Sequence, residues 1–145
     1  MSHVAKIELE VKDLQALRDA AERLGLEFRE GQKTYRWWGR TAGEYPLPAG
    51  FTAADLGKCD HALRVPGKAD AFEVGIAFRG GRYHLLWDFY GTRGAPMQKA
   101  IGPNGGKLRQ AYAIAEAKIA TRKKGYACVE RNLPNGSIQL TVRVP

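Results

Sequence analysis

The chain has 145 residues, of which 44% are hydrophobic and 26% charged, with 23 Lys and Arg against 15 Asp and Glu and a formal net charge of +8. This length suits one domain over residues 1–145, and this composition excludes wholesale disorder. Apolar runs far shorter than the roughly 20 residues of a membrane span, and an N-terminus without a secretory signal, predict a cytoplasmic protein with no membrane partner.

The first elements form a strand–helix–strand unit. Residues 4–11 alternate between apolar and charged side chains, which is typical of a strand with one wet face. Asp13 is a good N-cap for an amphipathic helix over residues 14–24. Residues 26–30 alternate again and predict the return strand, and residues 34–38 either continue that strand or form the next one.

Two features follow in the middle of the chain. Residues 39–60 form a long insertion rich in glycine and proline, and insertions of this kind are functional or mobile. Next, residues 72–78 and 83–89 alternate on either side of Gly80-Gly81, which predicts a hairpin with a tight primed turn. The register that places Phe78 opposite Tyr83 keeps every large apolar pair on one face, so this hairpin belongs at the centre of the sheet.

The C-terminal third predicts a helix and a second hairpin. Residues 91–106 are rich in glycine and indicate a connection, and residues 107–124 form an amphipathic helix. Asn135-Gly136 lies between two alternating segments and is a strong hairpin signal. The order of elements predicts an α+β fold: a mainly antiparallel sheet of about six or seven strands with two helices, in a ferredoxin-like split βαβ topology with insertions.

The strongest binding signal combines aromatic and basic side chains. Arg36 and Arg40 are interleaved with aromatic residues that include Trp38, and such clusters hold single-stranded nucleic acid by stacking and charge. Residues 99–125 carry seven basic side chains and one acidic, which suits a polyanionic partner. The candidate residues for binding nucleic acid or another partner are Arg36, Trp38, Arg40, Lys107, Lys118 and Arg122.

A second candidate site is acidic. The hairpin register places Glu73 opposite Asp88, with His84 on the same side, so the two carboxylates must be compensated. A divalent cation or a shared proton gives a functional interpretation, and neutralisation by a nearby arginine such as Arg64 gives a structural one. The run 59–61, Cys-Asp-His, matches no established ligand spacing, so we predict no metal site and no cofactor.

These residues also carry a resemblance that covers most of the chain. The chain resembles an uncharacterised family of hypothetical reading frames from chloroplast and cyanobacterial genomes. This family is a domain of unknown function and has shorter relatives in bacteriophages. The resemblance implies an intracellular protein and no particular activity. It does not extend to the insertion or to the loop over residues 102–107. Its motifs are Met1-Ser2-His3, Asp13-Leu14, His61-Ala62-Leu63-Arg64-Val65, Phe72-Glu73-Val74-Gly75, Trp87-Asp88, Tyr112 and Asn135-Gly136-Ser137-Ile138.

Taken together, the sequence favours a small basic, non-enzymatic protein that binds an acidic partner, foremost nucleic acid. The alternative is an accessory protein or phage-encoded inhibitor that docks on a host protein complex through residues 39–60. An enzyme that uses the acidic site, or a metal-binding protein, ranks below both.

Overall fold

The computed structural model describes residues 3–39 and 46–145. Its described part contains seven strands, three α-helices and two single-turn 3-10 helices. The strands are β1 (Val4–Val11), β2 (Glu27–Glu30), β3 (His61–Arg64), β4 (Val74–Arg79), β5 (Arg82–Asp88), β6 (Ala127–Asn132) and β7 (Ile138–Arg143). The helices are α1 (Leu14–Arg23), α2 (Gly91–Ile101) and α3 (Gly106–Lys123), with 3-10 turns at Ala53–Asp55 and Pro103–Gly105.

The strands form one five-stranded antiparallel sheet, in the order β1-β5-β4-β3-β2, and a separate β6-β7 hairpin. The predicted α+β class is confirmed, and its seven strands are divided between two sheets. Strands β1 and β2 run parallel at opposite edges, and α1 connects them. The split βαβ unit is therefore wider than in a ferredoxin-like sheet, because three strands rather than one lie between its two halves.

The central hairpin has the predicted register. Phe78 pairs with Tyr83, Ile76 with Leu85, and both glycines of the turn have positive φ. A primed turn requires that backbone conformation, which glycine adopts without steric cost. The predicted register and turn are confirmed, and β4 lies at the centre of the sheet.

The three helices pack against one face of the sheet and bury the larger core. The side chain of Asp13 caps α1 by accepting hydrogen bonds from the amides of Gln15 and Ala16. The longest helix, α3, contacts both α1 and β6, so it joins the helical layer to the second hairpin. No helix within the described residues is long and apolar enough to cross a lipid bilayer. The core residues here include Ile7, Leu17, Leu63, Ile76, Leu85, Met97, Ile101, Leu108 and Tyr112.

The helix α2 lies where the sequence indicated a glycine-rich connection, so that expectation was wrong. Glycine and an internal Pro96 lower helix propensity, but tertiary packing outweighs it here. Met97 and Ile101 are fully buried, and Gly94 lies so close to the strand before it that a Cβ would be 2.6 Å from the carbonyl carbon of Phe89. The glycine that weakens the helix signal is therefore needed for close packing.

The opposite face of the sheet is covered by residues that precede position 40 and residues that follow position 45. The prediction of a strand over residues 34–38 is wrong, because within the described residues this segment makes only one isolated β-bridge, from Thr34 to Lys58. Tyr35 is 3% exposed and lies against Gly75. Residues 46–60 add to the same layer, which we call the cover. The cover and the sheet bury a second core of Val4, Tyr35, Phe51, Leu56, Cys59, Ala62, Ala77 and Leu86.

Candidate nucleic-acid interface

Two buried carboxylates fix the position of the cover over the end of the sheet. Glu73 accepts a hydrogen bond from the amide of Arg36 at 2.7 Å, and its own amide donates to the carbonyl of Arg36 at 2.9 Å. Asp88 accepts from the amide of Trp38 at 3.1 Å. Both acidic residues are buried, at 4% and 0% exposure, so they bind the backbone rather than solvent. Residues 36–38 are thus held by charge-assisted hydrogen bonds.

Asp88 joins three parts of the chain. Besides Trp38, its carboxylate accepts from the amides of His3 at 3.1 Å and Tyr90 at 3.2 Å. Trp38 and Tyr90 are consequently brought to the same end of the sheet, although 52 positions separate them in sequence. The ring of His3 stacks on that of Tyr90, with centroids 4.2 Å apart and planes inclined by 24°.

Trp38 and Tyr90 border a pocket of about 190 Å³. Their side chains are 42% and 47% exposed, whereas Phe72, which also lines the pocket, is buried. Gly91, Thr92 and Arg93 from the first turn of α2 complete the lining. We call this site the aromatic pocket. It combines accessible ring surface with a guanidinium group, which is the combination that holds unstacked bases.

Arg36 lies beside this pocket. Its guanidinium donates to the carbonyl of Ala71 at 3.2 Å, next to Phe72 in the chain, and lies 4.0 Å from the carboxylate of Glu73. The side chain remains partly exposed. Of the predicted pair, Trp38 therefore lines the aromatic pocket together with Tyr90 and Arg93, and Arg36 contacts the chain next to it.

A second depression adjoins the aromatic pocket, because Thr92 lines both. It has a volume of about 740 Å³, and within the described part of the chain its lining includes basic side chains and no carboxylate. Arg23 is already bound to Glu130 through two contacts of 2.8 Å, so three lysines supply the uncompensated charge. We call it the cationic groove. It is lined by Arg23, Leu24, Val65, Lys68, Thr92, Ala95, Pro96, Lys99, Ala100 and Lys107.

The remaining described basic candidates line a second groove, which shares Arg23 with the cationic groove. Lys118 and Arg122 line this second groove, between α1 and α3, which also contains Asp19 and Glu22. The ammonium of Lys118 is 3.0 Å from the carboxylate of Glu130. A helix rises ~1.5 Å per residue, so about 16 Å along α3 separates Lys118 from Lys107. The grouping of Lys118 and Arg122 with Lys107 in one binding surface stays a prediction. Arg40 lies outside the described residues.

The chain matches no family model, no curated protein and no solved structure. The resemblance described from the sequence therefore stays a prediction.

Sequence reasoning missed several residues of this surface. Tyr90 and Arg93 belong to the start of α2, and Lys99 to its last turn, and these positions could be placed only once this segment was known to be helical. Lys68 lies in the turn after β3. The sequence signal that could have identified Lys99 is the high density of basic residues around it. The direction in which its side chain points depends on the helix α2.

In the structure, His84 of the predicted acidic site lies apart from Glu73 and Asp88. The ring nitrogen Nε2 of His84 lies 3.2 Å from the carbonyl of Arg79, near the turn of the hairpin. Four residues of strand, or about 13 Å, separate it from Asp88. Arg64 does not neutralise the carboxylates, because it pairs with Glu27 at 3.5 Å. Backbone amides bind Asp88 instead, and Glu73 is bound by the amide of Arg36, by its guanidinium at 4.0 Å and by the side chain of Gln32 at 3.1 Å. This arrangement gives both carboxylates a structural role.

The adjacent Cys59, Asp60 and His61 each bind a different part of the backbone. The thiol of Cys59 donates to the carbonyl of Gln32 at 3.2 Å, and burial raises the pKa of this thiol to about 12. Asp60 accepts from the amide of Phe78 at 2.7 Å, and Nδ1 of His61 accepts from that of Gly31 at 2.9 Å. Among residues 3–39 and 46–145, no group of three His, Cys, Asp or Glu side chains could hold a metal ion.

Proposed function

We propose that this protein is a non-enzymatic binding protein for single-stranded nucleic acid. Bases stack in the aromatic pocket, and the phosphate backbone passes the first turn of α2 into the cationic groove. The observation that carries this proposal is that Thr92 lines both depressions, so the exposed rings and the three lysines lie on adjacent parts of the surface. Stacking on rings and neutralisation of phosphates are the two means by which single strands are bound without base readout.

The first turn of α2 favours an anion at the junction of the two sites. It contains no acidic side chain, and no side chain of the described residues caps it. The amide groups at the start of a helix carry a partial positive charge, which Arg93 increases here. A phosphate between the stacked base and the groove would lie where these positive charges meet.

The shape of the aromatic pocket favours a single strand over a duplex. Rings that border a pocket contact the flat face of a base, and in a duplex that face is covered by its neighbours in the stack. The fixed backbone at Trp38 and Tyr90 lowers the entropic cost of ordering the two rings on binding. The buried carboxylates behind them therefore contribute to affinity without touching the nucleic acid.

The proposal is tested by fluorescence anisotropy with labelled 12-nucleotide DNA and RNA strands across a series of salt concentrations. We expect Trp38→Ala and Tyr90→Ala each to weaken binding by roughly 1–3 kcal/mol. Lys99→Ala should lower affinity and also flatten the salt dependence, because fewer counterions are released. Arg122→Ala is the matched control, since it removes one charge from the other groove and should change little.

Two results would reject this function. One is the absence of complex at low salt with either kind of strand. The other is equal weakening by Arg122→Ala and Lys99→Ala, which would indicate attraction by net charge alone. Affinity purification with and without nuclease adds a separate check, because a protein partner that survives nuclease would favour docking on a host complex instead.

A further inference from the structure

We infer that the free edge of β1 pairs with the same edge of a second copy of this chain. Within the described residues, β1 is hydrogen-bonded to β5 alone and forms one edge of the sheet. It is eight residues long with three charged residues that alternate with apolar ones, whereas β2 at the other edge has four residues, three of them charged. Short, charged edges prevent strand addition, and long alternating edges invite it. Of the two edges of this sheet, β1 is thus the one suited to pairing.

The outward-facing backbone groups of β1 follow from its pairing with β5. The amide of Phe89 donates to the carbonyl of His3, at 3.4 Å, so these residues form a hydrogen-bonded pair. Such pairs alternate along antiparallel strands, and therefore Ala5 and Ile7 bond to β5. The amide and carbonyl of Lys6 therefore point away from the sheet, and so does the amide of Glu8, which lies opposite the Ile7 carbonyl in a trans peptide. These groups are available to a strand added at this edge.

Charge then distinguishes the registers whose two-fold axis passes through Lys6, Ile7 or Glu8 of two antiparallel copies of β1. A two-fold axis through Ile7 places Lys6 opposite Glu8 of the second copy, and Glu8 opposite Lys6 of that copy. An axis through Lys6 or through Glu8 instead places like charges opposite each other, which is destabilising. Neither Lys6 nor Glu8 has an ion pair within the described part of the chain. The edge is therefore complementary to itself in charge as well as in hydrogen bonding.

The resulting contact is symmetric and closed. The same residues serve on both copies, as is usual in two-fold dimers. The two five-stranded sheets would join into one continuous sheet of ten strands. The register of β1 against β5 is regular over residues 4–7 and shifts between Ile7 and Val11, so the regular ladder ends at the axis. We therefore expect a dimer that depends strongly on the two reciprocal charge pairs at its centre.

The test is charge exchange, followed by sedimentation velocity over a range of protein concentrations. Lys6→Glu and Glu8→Lys should each weaken the dimer by at least about tenfold, because each change places like charges opposite one another twice. The double variant Lys6→Glu/Glu8→Lys should recover the dimer. An equimolar mixture of the two single variants should form a heterodimer, in which every pair is again of opposite charge.

Lys33→Glu is the matched control, because it makes the same change of charge on an exposed residue near the opposite edge of the sheet. Circular dichroism confirms that each variant is folded, and the mixing experiment restores association without further mutation. A protein that remains monomeric at all concentrations overturns the inference. So does a dimer that is unaffected by both single exchanges, or a pair of variants that fail to associate when mixed.

Discussion

Glu73 and Asp88, at the ends of neighbouring strands of the central hairpin, bind amides of the same short segment, those of Arg36 and Trp38. Carboxylates facing each other across a sheet usually repel. Here they lie beneath a layer of backbone whose N–H groups point towards them. The two carboxylates that suggested an acidic active site from the sequence therefore hold the cover in place. They also set the position of the exposed indole of Trp38.

Replacing Asp88 by Asn should destabilise the protein by about 2–3 kcal/mol, because the carboxylate accepts hydrogen bonds from three backbone amides. The amide group of Asn has one acceptor oxygen, and its NH₂ group would face a backbone donor. Urea denaturation measures the change in the free energy of unfolding.

Asp70→Asn is the control for this substitution, since Asp70 is exposed. Asp88→Asn should also weaken binding of single strands, because Trp38 and Tyr90 lose their common anchor. A variant with unchanged stability would show that the carboxylate is not the acceptor that the structure places there.

Gly75→Ala tests the contact between the sheet and the cover. A Cβ at Gly75 would lie 2.1 Å from the ring of Tyr35, so either the ring or the strand must move. Overpacking of this kind costs about 1–3 kcal/mol. The cost should fall sharply in a Tyr35→Ala background, where the ring is absent, and the double-mutant cycle measures this coupling.

Gly106→Ala is a suitable control, because its helical backbone and the nearest atom, at 3.8 Å, leave room for a methyl group. We expect this change to be neutral or slightly stabilising. Additive effects of Gly75→Ala and Tyr35→Ala would contradict the proposed contact.

Local patterns predict much of this fold. The alternation and turn residues of the β4–β5 hairpin determine its register, and Asp13 marks the start of α1. These features depend on neighbours in sequence or on one strand partner. The helix α2 was missed because its stability comes from the burial of Met97 and Ile101 rather than from the propensities of its residues.

The candidate site could be predicted only in part, for a related reason. Arg36 and Trp38 are close in sequence and were identified together, whereas Tyr90 joins them only through the carboxylate of Asp88. Charge counting along the chain also grouped Lys118 with Lys107, although Glu130 binds Lys118 at another part of α3. Composition indicates how many charges are present, but long-range pairing determines which of them remain uncompensated.

The two cysteines should differ in reactivity. Burial raises the pKa of the Cys59 thiol to about 12, so almost none of it is thiolate at pH 8, whereas Cys128 is half-buried. Because the thiolate is the reactive form, titration with a disulfide reagent should detect one accessible thiol in the native protein and two after denaturation. Cys128→Ser should remove the native reaction. Rapid modification of Cys59 in that variant would mean that the cover opens readily.

Glu130 should make the docking of the β6–β7 hairpin sensitive to acid. Hydrogen bonds from Arg23 of α1 and Lys118 of α3 lower the pKa of Glu130 from 4.5 to about 2. A lowered pKa means that the stabilisation is complete above the unfolded value of 4.5 and is lost as the pH falls towards 2. The free energy of unfolding of Glu130→Gln should therefore lie below that of the native sequence at pH 6, and the difference should disappear near pH 2.

An isolated two-stranded hairpin is marginally stable, so the loss should appear first in β6 and β7. Hydrogen exchange at their amides should accelerate in Glu130→Gln at pH 6 while exchange in β4 remains slow. Glu22→Gln is the control, because it removes an exposed carboxylate of α1. High salt should reduce the effect of Glu130→Gln, since the three charges are partly exposed. A difference in stability that is independent of pH between 2 and 6 would show that packing, rather than these ion pairs, holds the hairpin against α1 and α3.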